Sequence, residues 1–412
     1  MRRRSVSPAA PQLVAQPFLD YAFPTNAGTV DALRERNTFA HSVIAPLFTL
    51  HERIGRNRTD DAQRAEIDAF LTRFFGTVQA GDHMRAALTR ARALLMNGLD
   101  PYVPDDRRKV LGLLDDDALV SLDEVLRDMF ARGQSSDAVR RAFVARRRYF
   151  LARYLLHLDR SDAAIERSTM LKQQAHAALH DDFLIPATEE ATVFCSNHDP
   201  ANEDRCLDVR TTSQPQWTHQ RSALVHLQQF RCLQEKTRPV LVQIRMKDPF
   251  AILIRMLRDE LPHPEHVPDL RGIRFICFSH DDRRACLDAL LERFPIVAST
   301  ADDWVDLYAG TAVRRLNRFS SRYFRVLKFA AEFAGALWEF QIMHAKDFTN
   351  LWYSTGEENW YRYRLRQLVA LFFPRFFPRR IYGIRWGKPS TYASFAAWIS
   401  REPRRFPITI SH

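Results

Sequence analysis

The chain has 412 residues, 46% of them apolar, and a formal net charge of +11. That length predicts two or three domains with a sizeable core, and the arginine-rich charge suits a polyanionic ligand such as a nucleotide, RNA or DNA. Five cysteines without framework spacing exclude a disulfide scaffold and point to a reducing compartment. No stretch approaches the ~20 apolar residues of a membrane span, so the expected setting is cytoplasmic, with no membrane partner.

Residues 1–28, rich in Pro, Ala and Ser, predict a flexible leader. Its basic start lacks the apolar run of a secretory signal. From Thr29 to Asp182 apolar residues recur at i, i+3, i+4 and i+7, which predicts helices, with Asp60 and Asp137 as N-caps. The helix over 138–160 interleaves Arg140, Arg141, Arg146, Arg147, Arg148 and Arg153 with Phe143, Tyr149, Phe150 and Tyr154. Such a mixture binds single-stranded RNA in some proteins. Here most of the rings share a face with Val144, Leu151 and Leu155, which favours a packed amphipathic helix.

Periodicity weakens between Phe183 and Arg238. A strand and a polar loop are expected over 186–206, and a helix over 217–239. Cys195, His198 and Cys206 are metal-ligand types, but no paired ligand spacing accompanies them, so the run is read as loop rather than zinc site. The helical region is therefore placed at 29–215 and an α/β domain at 216–373, followed by a basic, aromatic tail, 374–412, without clear period. The fold class is α+β. Within the second domain, 240–245, 273–278, 323–333 and 337–343 alternate as strands of one mixed sheet flanked by helices.

This second domain carries the candidate chemistry. Arg245-x-Lys247 closes a strand and Arg255 follows on a helix. Asp269-Leu-Arg-Gly272-Ile-Arg274 opens the next strand. Tyr323-Phe324-Arg325-Val-Leu-Lys328 and Glu339-Phe-Gln341-Ile lie on the last two. In this order and spacing the stretch 238–344 resembles the synthetase domain of the RelA/SpoT family, enzymes with a nucleotidyltransferase-like fold that move pyrophosphate from ATP to the 3′-hydroxyl of GDP or GTP. The resemblance implies a cationic cradle for ATP phosphates from Arg245, Lys247, Arg255 and Arg274. It implies Asp269 and Glu339 as catalytic carboxylates holding Mg²⁺, with Glu339 alternatively the general base on the acceptor hydroxyl. It also implies an acceptor site from Phe324, Arg325, Lys328 and Gln341. Charge logic supports the same roles: phosphoryl transfer needs cations around the phosphates and a metal on their oxygens, and Mg²⁺ takes one or two carboxylates plus substrate phosphates.

The chain departs from the family pattern in the third motif, where Tyr323, Phe324 and Lys328 replace glycine, tyrosine and histidine, and at Asp248, which replaces a serine. These changes leave the donor site and alter the acceptor site. The expectation is a divergent pyrophosphotransferase acting on a guanine nucleotide or an RNA end, with basic helices available to RNA. The alternative is an inactive nucleotide- or RNA-binding protein that keeps the fold. Of the family's hydrolase domain, with its paired His-Asp metal motif, nothing is recognisable.

Overall fold

The computed structural model describes residues 59–75, 78–113, 135–160, 162–185, 192–211, 218–225, 227–232, 236–261, 264–294, 305–308 and 318–401, with single turns and residues at 45–46, 49–50, 52–54, 125 and 128–129. The leader at 1–28, the end of the tail and most of the expected helices over 29–54 and 121–133 lie outside them. The elements in chain order are α1 (Asp60–Phe75), α2 (Val78–Leu99), α3 (Asp105–Val110), α4 (Ser136–Arg160), α5 (Asp162–Asp182), β1 (Leu184–Ile185), β2 (Thr192–Asp199), β3 (Arg205–Thr211), β4 (Gln220–Val225), β5 (Gln228–Arg231), β6 (Thr237–Met246), α6 (Pro249–Asp259), β7 (Arg271–Cys277), α7 (His280–Arg293), β8 (Val305–Asp306), β9 (Leu327–Phe333), β10 (Ala336–His344), α8 (Ala345–Tyr353), α9 (Trp360–Gln367), a π-helical turn (Leu368–Phe372), α10 (Phe373–Phe376), α11 (Arg379–Tyr382) and α12 (Pro389–Arg401). The protein is α+β, and no helix among the described residues is long and apolar enough to cross a membrane.

Two compact units divide the chain. The first takes residues 1–161, 249–267 and 368–395; the second takes 162–248, 268–367 and 396–412. In the first, α1 and α4 start on the hydroxyls of Thr59 and Ser135, which accept from the amides of Ala62 and Ala138. The N-caps thus fall one or two residues before the expected aspartates, because a short hydroxyl side chain fills the cap. The rings of Phe143, Tyr149, Phe150 and Tyr154 are all buried, as a packed amphipathic helix requires. Arg147 is buried with them: its Nη1 donates to the Phe376 carbonyl at 3.0 Å and the Tyr382 hydroxyl at 3.1 Å, and its guanidinium lies 4.4 Å from the Phe377 ring. Burial lowers its pKa, with Tyr382 opposing.

The second unit is built on a seven-stranded sheet of order β1-β5-β6-β7-β10-β9-β8. β7 and β10 run parallel; every other neighbouring pair is antiparallel. The four runs expected as strands of one sheet are its centre. Residues 323–326 stay outside the third of them, which begins at Leu327. The expected helix over 217–239 is instead β4 and β5: Gln220–Val225 pairs with β2, and Gln228–Arg231 with β6. Apolar residues there admit a helical spacing, but the open edges of β2 and β6 offer tertiary hydrogen bonds that override it. β2, β3 and β4 form a second, three-stranded antiparallel sheet.

Side chains alternate strictly between the faces of the large sheet. One face carries Val240, Ile273, Phe275, Trp338, Phe340, Ile342, Leu327 and Phe329 under Ala175 and Leu179 of α5 and Cys286, Ala289 and Leu290 of α7. The other is apolar at one end only, where Leu241, Ile276 and Met343 meet Phe348 of α8 and Phe194 and Val225 of the small sheet. Toward its other end that face turns polar and charged. All five cysteines are free and buried.

The β9–β10 hairpin closes over Ala334 and Gly335, both at positive φ (47° and 77°), the geometry of a two-residue turn that prefers Asn-Gly. Alanine there carries left-handed backbone strain. Ala334→Asn is expected to raise stability by about 0.5 kcal/mol, read as a higher urea midpoint with unchanged slope.

Candidate active site

Register builds the charged surface. Arg245 of β6 lies opposite Gly272 of β7, which lies opposite Glu339 of β10; one pleat along, Gln243, Arg274, Gln341 and Lys328 form the next row. Because Gly272 has no side chain, Arg245 can cross β7: a Cβ at that glycine would sit 2.8 Å from the Arg245 Nε. Arg245 Nη2 then donates to Glu339 Oε1 at 3.2 Å, and Lys328 Nζ donates to Oε2 at 3.0 Å. Gln341 Nε2 also donates to Oε1.

The Gln341 carbonyl oxygen in turn accepts from Arg274 Nε at 3.0 Å and Nη2 at 2.8 Å, while Gln243 accepts from Nη1 at 3.5 Å. Arg274 is 4% exposed and makes no ion pair among the described residues. Its guanidinium lies 5.7 Å from the Phe348 ring. Burial, with repulsion from Arg245 added, pushes its pKa well down, against the pull of Glu339. Beside this network, Lys247 Nζ pairs with Asp269 Oδ2 and also donates to the Asp269 carbonyl. Burial lowers the Lys247 pKa, with Asp269 and then Glu339 opposing. Burial would raise the Glu339 carboxyl, but Lys328, Arg245 and Lys247 together outweigh it and hold it at about 2. Four cations thus face two carboxylates, leaving two positive charges unbalanced.

Seven expected site residues therefore come together: Arg245, Lys247, Asp269, Arg274, Lys328, Glu339 and Gln341. Three do not. Arg255 lies on α6 of the first unit, paired with Asp259 at 2.8 Å; the excursion after Asp248 carries it into a different core. Phe324 is half-buried against the apolar cluster that holds Val326 and Phe348, and Arg325 is exposed, because strand alternation begins only at Leu327. Gln243 was missed by sequence reading, although period-2 spacing back from Arg245 puts it on this face.

Some arginines of the basic helices bond within the protein, while Arg141 is exposed. Arg140 and Arg146 donate to the carbonyls of Val110 and Met129. Arg364 is buried against Gln367, and Arg366 donates to the carbonyls of Phe319 and Glu357, both at 2.9 Å. Cys195, His198 and Cys206 form no metal cluster, and no group of three metal-ligating side chains occurs among the described residues. His198, read as part of a loop, lies in strand β2, one residue before its end; it is buried, bonded to the Ser196 hydroxyl at 2.9 Å and the Asp204 carbonyl at 2.8 Å.

A second titratable group sits at the carboxyl edge of the parallel pair. Tyr308 donates to Asp347 at 2.7 Å and accepts from the His344 amide at 2.9 Å, while His344 Nδ1 caps α8 by accepting from the Lys346 amide. Burial, His280 and Lys346 push His344 down to about 4. No family model matches the chain, and no curated protein matches its sequence.

The lowered His344 value gives a pH dependence. Its folded pKa lies below the ordinary 6.5, so it contributes stability above that value, lost as pH falls from about 6.5 towards about 4. His344→Asn keeps a capping acceptor without the titration. Urea unfolding over pH 4–7 should then show a shallower loss of stability for the variant than for wild type.

Proposed function

We propose that the chain is a divergent pyrophosphotransferase of the RelA/SpoT synthetase type, moving pyrophosphate from ATP to a 3′-hydroxyl of a guanine nucleotide or RNA end. The observation that carries this reading is Arg274, a buried guanidinium with amide partners and no carboxylate. A buried charge without a counter-ion is costly, and a phosphate group beside Arg245, Lys247 and Lys328 would supply one with the bidentate geometry arginine favours.

In the reaction the acceptor 3′-oxygen bonds to the β-phosphorus of ATP, the bond from that phosphorus to the α–β bridging oxygen breaks, and AMP leaves. The hydroxyl proton passes to a carboxylate. With a pKa of about 2, Glu339 is too acidic to take it at neutral pH. Substrate phosphates remove that obstacle by drawing Arg245 and Lys328 away, an exchange of one set of anions for another. The same exchange frees oxygens for a metal. Asp269 and Glu339 have the hard donors that Mg²⁺ takes together with substrate phosphates, and would hold it where it neutralises charge on the transferring group. Gly272 keeps the lane open for Arg245, and Gln341 holds Glu339 and Arg274 in fixed relation.

The second reading is a nucleotide-binding protein without turnover. It is favoured by Glu339, both of whose oxygens are already engaged, and by lysine at 328.

The test is incubation with γ-labelled ATP, Mg²⁺ and GDP, GTP or RNA bearing a free 3′ end. Label should move to the acceptor with release of AMP. Asp269→Asn should lower the rate by roughly 100-fold or more. Gly272→Ala, which drives the Arg245 guanidinium from Glu339, should weaken ATP binding with little change in far-UV dichroism. Glu339→Gln is the poorer probe of chemistry, since it strips the counter-ion from two partly buried cations and destabilises the fold by about 3 kcal/mol. Tight ATP binding without transfer to any acceptor would establish the second reading; absence of ATP binding would overturn both.

A further inference from the structure

We infer that the segment 318–325, together with Arg205 of β3, is a docking strip for a single strand of nucleic acid. The inference rests on the proposed transfer reaction only in naming its acceptor; the surface itself is argued independently. Arg318, Arg322, Tyr323 and Arg325 are all exposed. Tyr323 keeps 39% of its surface in solvent, the one aromatic residue among the large exposed apolar side chains of the described residues. Two guanidiniums lie over its ring, that of Arg205 at 4.4 Å and that of Arg322 at 4.7 Å from the centroid.

Arg205 is held in place rather than adrift. Its Nη2 lies 3.3 Å from Glu203 and its Nε 3.4 Å from Glu358. The turn before it is fixed by the Thr355 amide, which donates to the Glu203 carbonyl at 2.7 Å. At the head of β3, the Cys206 amide donates to the Asn350 side chain of α8 at 2.8 Å. The small sheet thus delivers a positioned cation to the ring. An exposed ring with several arginines is the composition that binds single strands: the rings stack on bases of any sequence, and the guanidiniums meet phosphates. Acidic groups do border the strip, since Glu203 and Glu358 hold Arg205 and Asp347 faces Arg325. Arg318 and Arg322 make no ion pair among the described residues: the Arg322 guanidinium donates to the Tyr323 hydroxyl, that of Arg318 lies 4.8 Å from the Phe319 ring, and both residues are exposed.

Several other arginines do not offer the same surface. Arg147 and Arg364 are buried, and Arg366 is consumed by backbone carbonyls. The strip also runs straight into β9, three residues before Lys328 of the charged face. A strand lying along 318–325 would therefore be led towards that face, as an acceptor with a 3′ end requires.

The experiment measures anisotropy of a fluorescein-labelled twelve-nucleotide RNA of mixed sequence and, separately, of a fluorescent GDP, without ATP, at several salt concentrations. Wild type should bind the RNA with affinity falling steeply as salt rises. Arg318→Ala, Arg322→Ala and Arg325→Ala should each flatten the salt slope by about 0.7. Tyr323→Ala should weaken binding by about fivefold or more at unchanged slope, and Tyr323→Phe much less. Thermal melts of the variants should match wild type, since these side chains are exposed. The inference is overturned if wild type binds GDP but no RNA, or if the triple arginine variant binds RNA as wild type does. Because no ATP is present, RNA binding with failed transfer would refute the reaction and leave the strip standing, and the converse would do the opposite.

Discussion

The charged face of the large sheet depends on one buried carboxylate. Glu339 takes Arg245 from one side, Lys328 from the other and the Gln341 amide between them. Without it, two cations would crowd a partly buried surface with only the more peripheral Asp269 to offset them. Its low pKa is the measure of that duty: the carboxyl stays ionised against the cost of burial because three cations hold it so. The glycine at 272 belongs to the same constraint, since only a residue without a side chain lets a β6 arginine reach a β10 carboxylate across the intervening strand.

The position of this network differs from the arrangement that α/β sheets suggest. Ligands of doubly wound sheets gather beyond the carboxyl ends of parallel strands. Here the charged rows lie on the face of the sheet, over the amino-terminal and middle parts of β7 and β10. The carboxyl edge of that pair is closed by the bonded group of Tyr308, Asp347 and His344. α8 and the small sheet pack on the apolar end of that face.

Much of this was legible in the sequence. Strict alternation gave the four central strands, and the same alternation put Arg245, Arg274, Lys328, Glu339 and Gln341 on one face once the strands were in register. What was not legible depended on contacts distant in sequence. The strands β4 and β5 carry apolar residues that suit a helix as well, and only the edges of β2 and β6 decide between them. Arg255 follows Lys247 closely along the chain yet packs in a different unit, which local spacing cannot reveal. Phe324 was the expected ring because it stands where the third motif of the resemblance has its tyrosine; the strand begins three residues later, and it is Tyr323 that is exposed.

The two-residue turn at Ala334-Gly335 has a consequence for how the molecule assembles. A hairpin so short closes with little loss of chain entropy, so β9 and β10 can pair early, while the parallel seam between β7 and β10 must await residues far apart in sequence. Lys328 and Glu339 are brought together by the hairpin alone. Their partnership needs only the hairpin, so Arg245 can meet a carboxylate that already carries one counter-ion. The hairpin can thus neutralise the central carboxylate before the rest of the sheet covers it, which would spare the folding chain the desolvation of a bare carboxylate in the middle of its largest sheet.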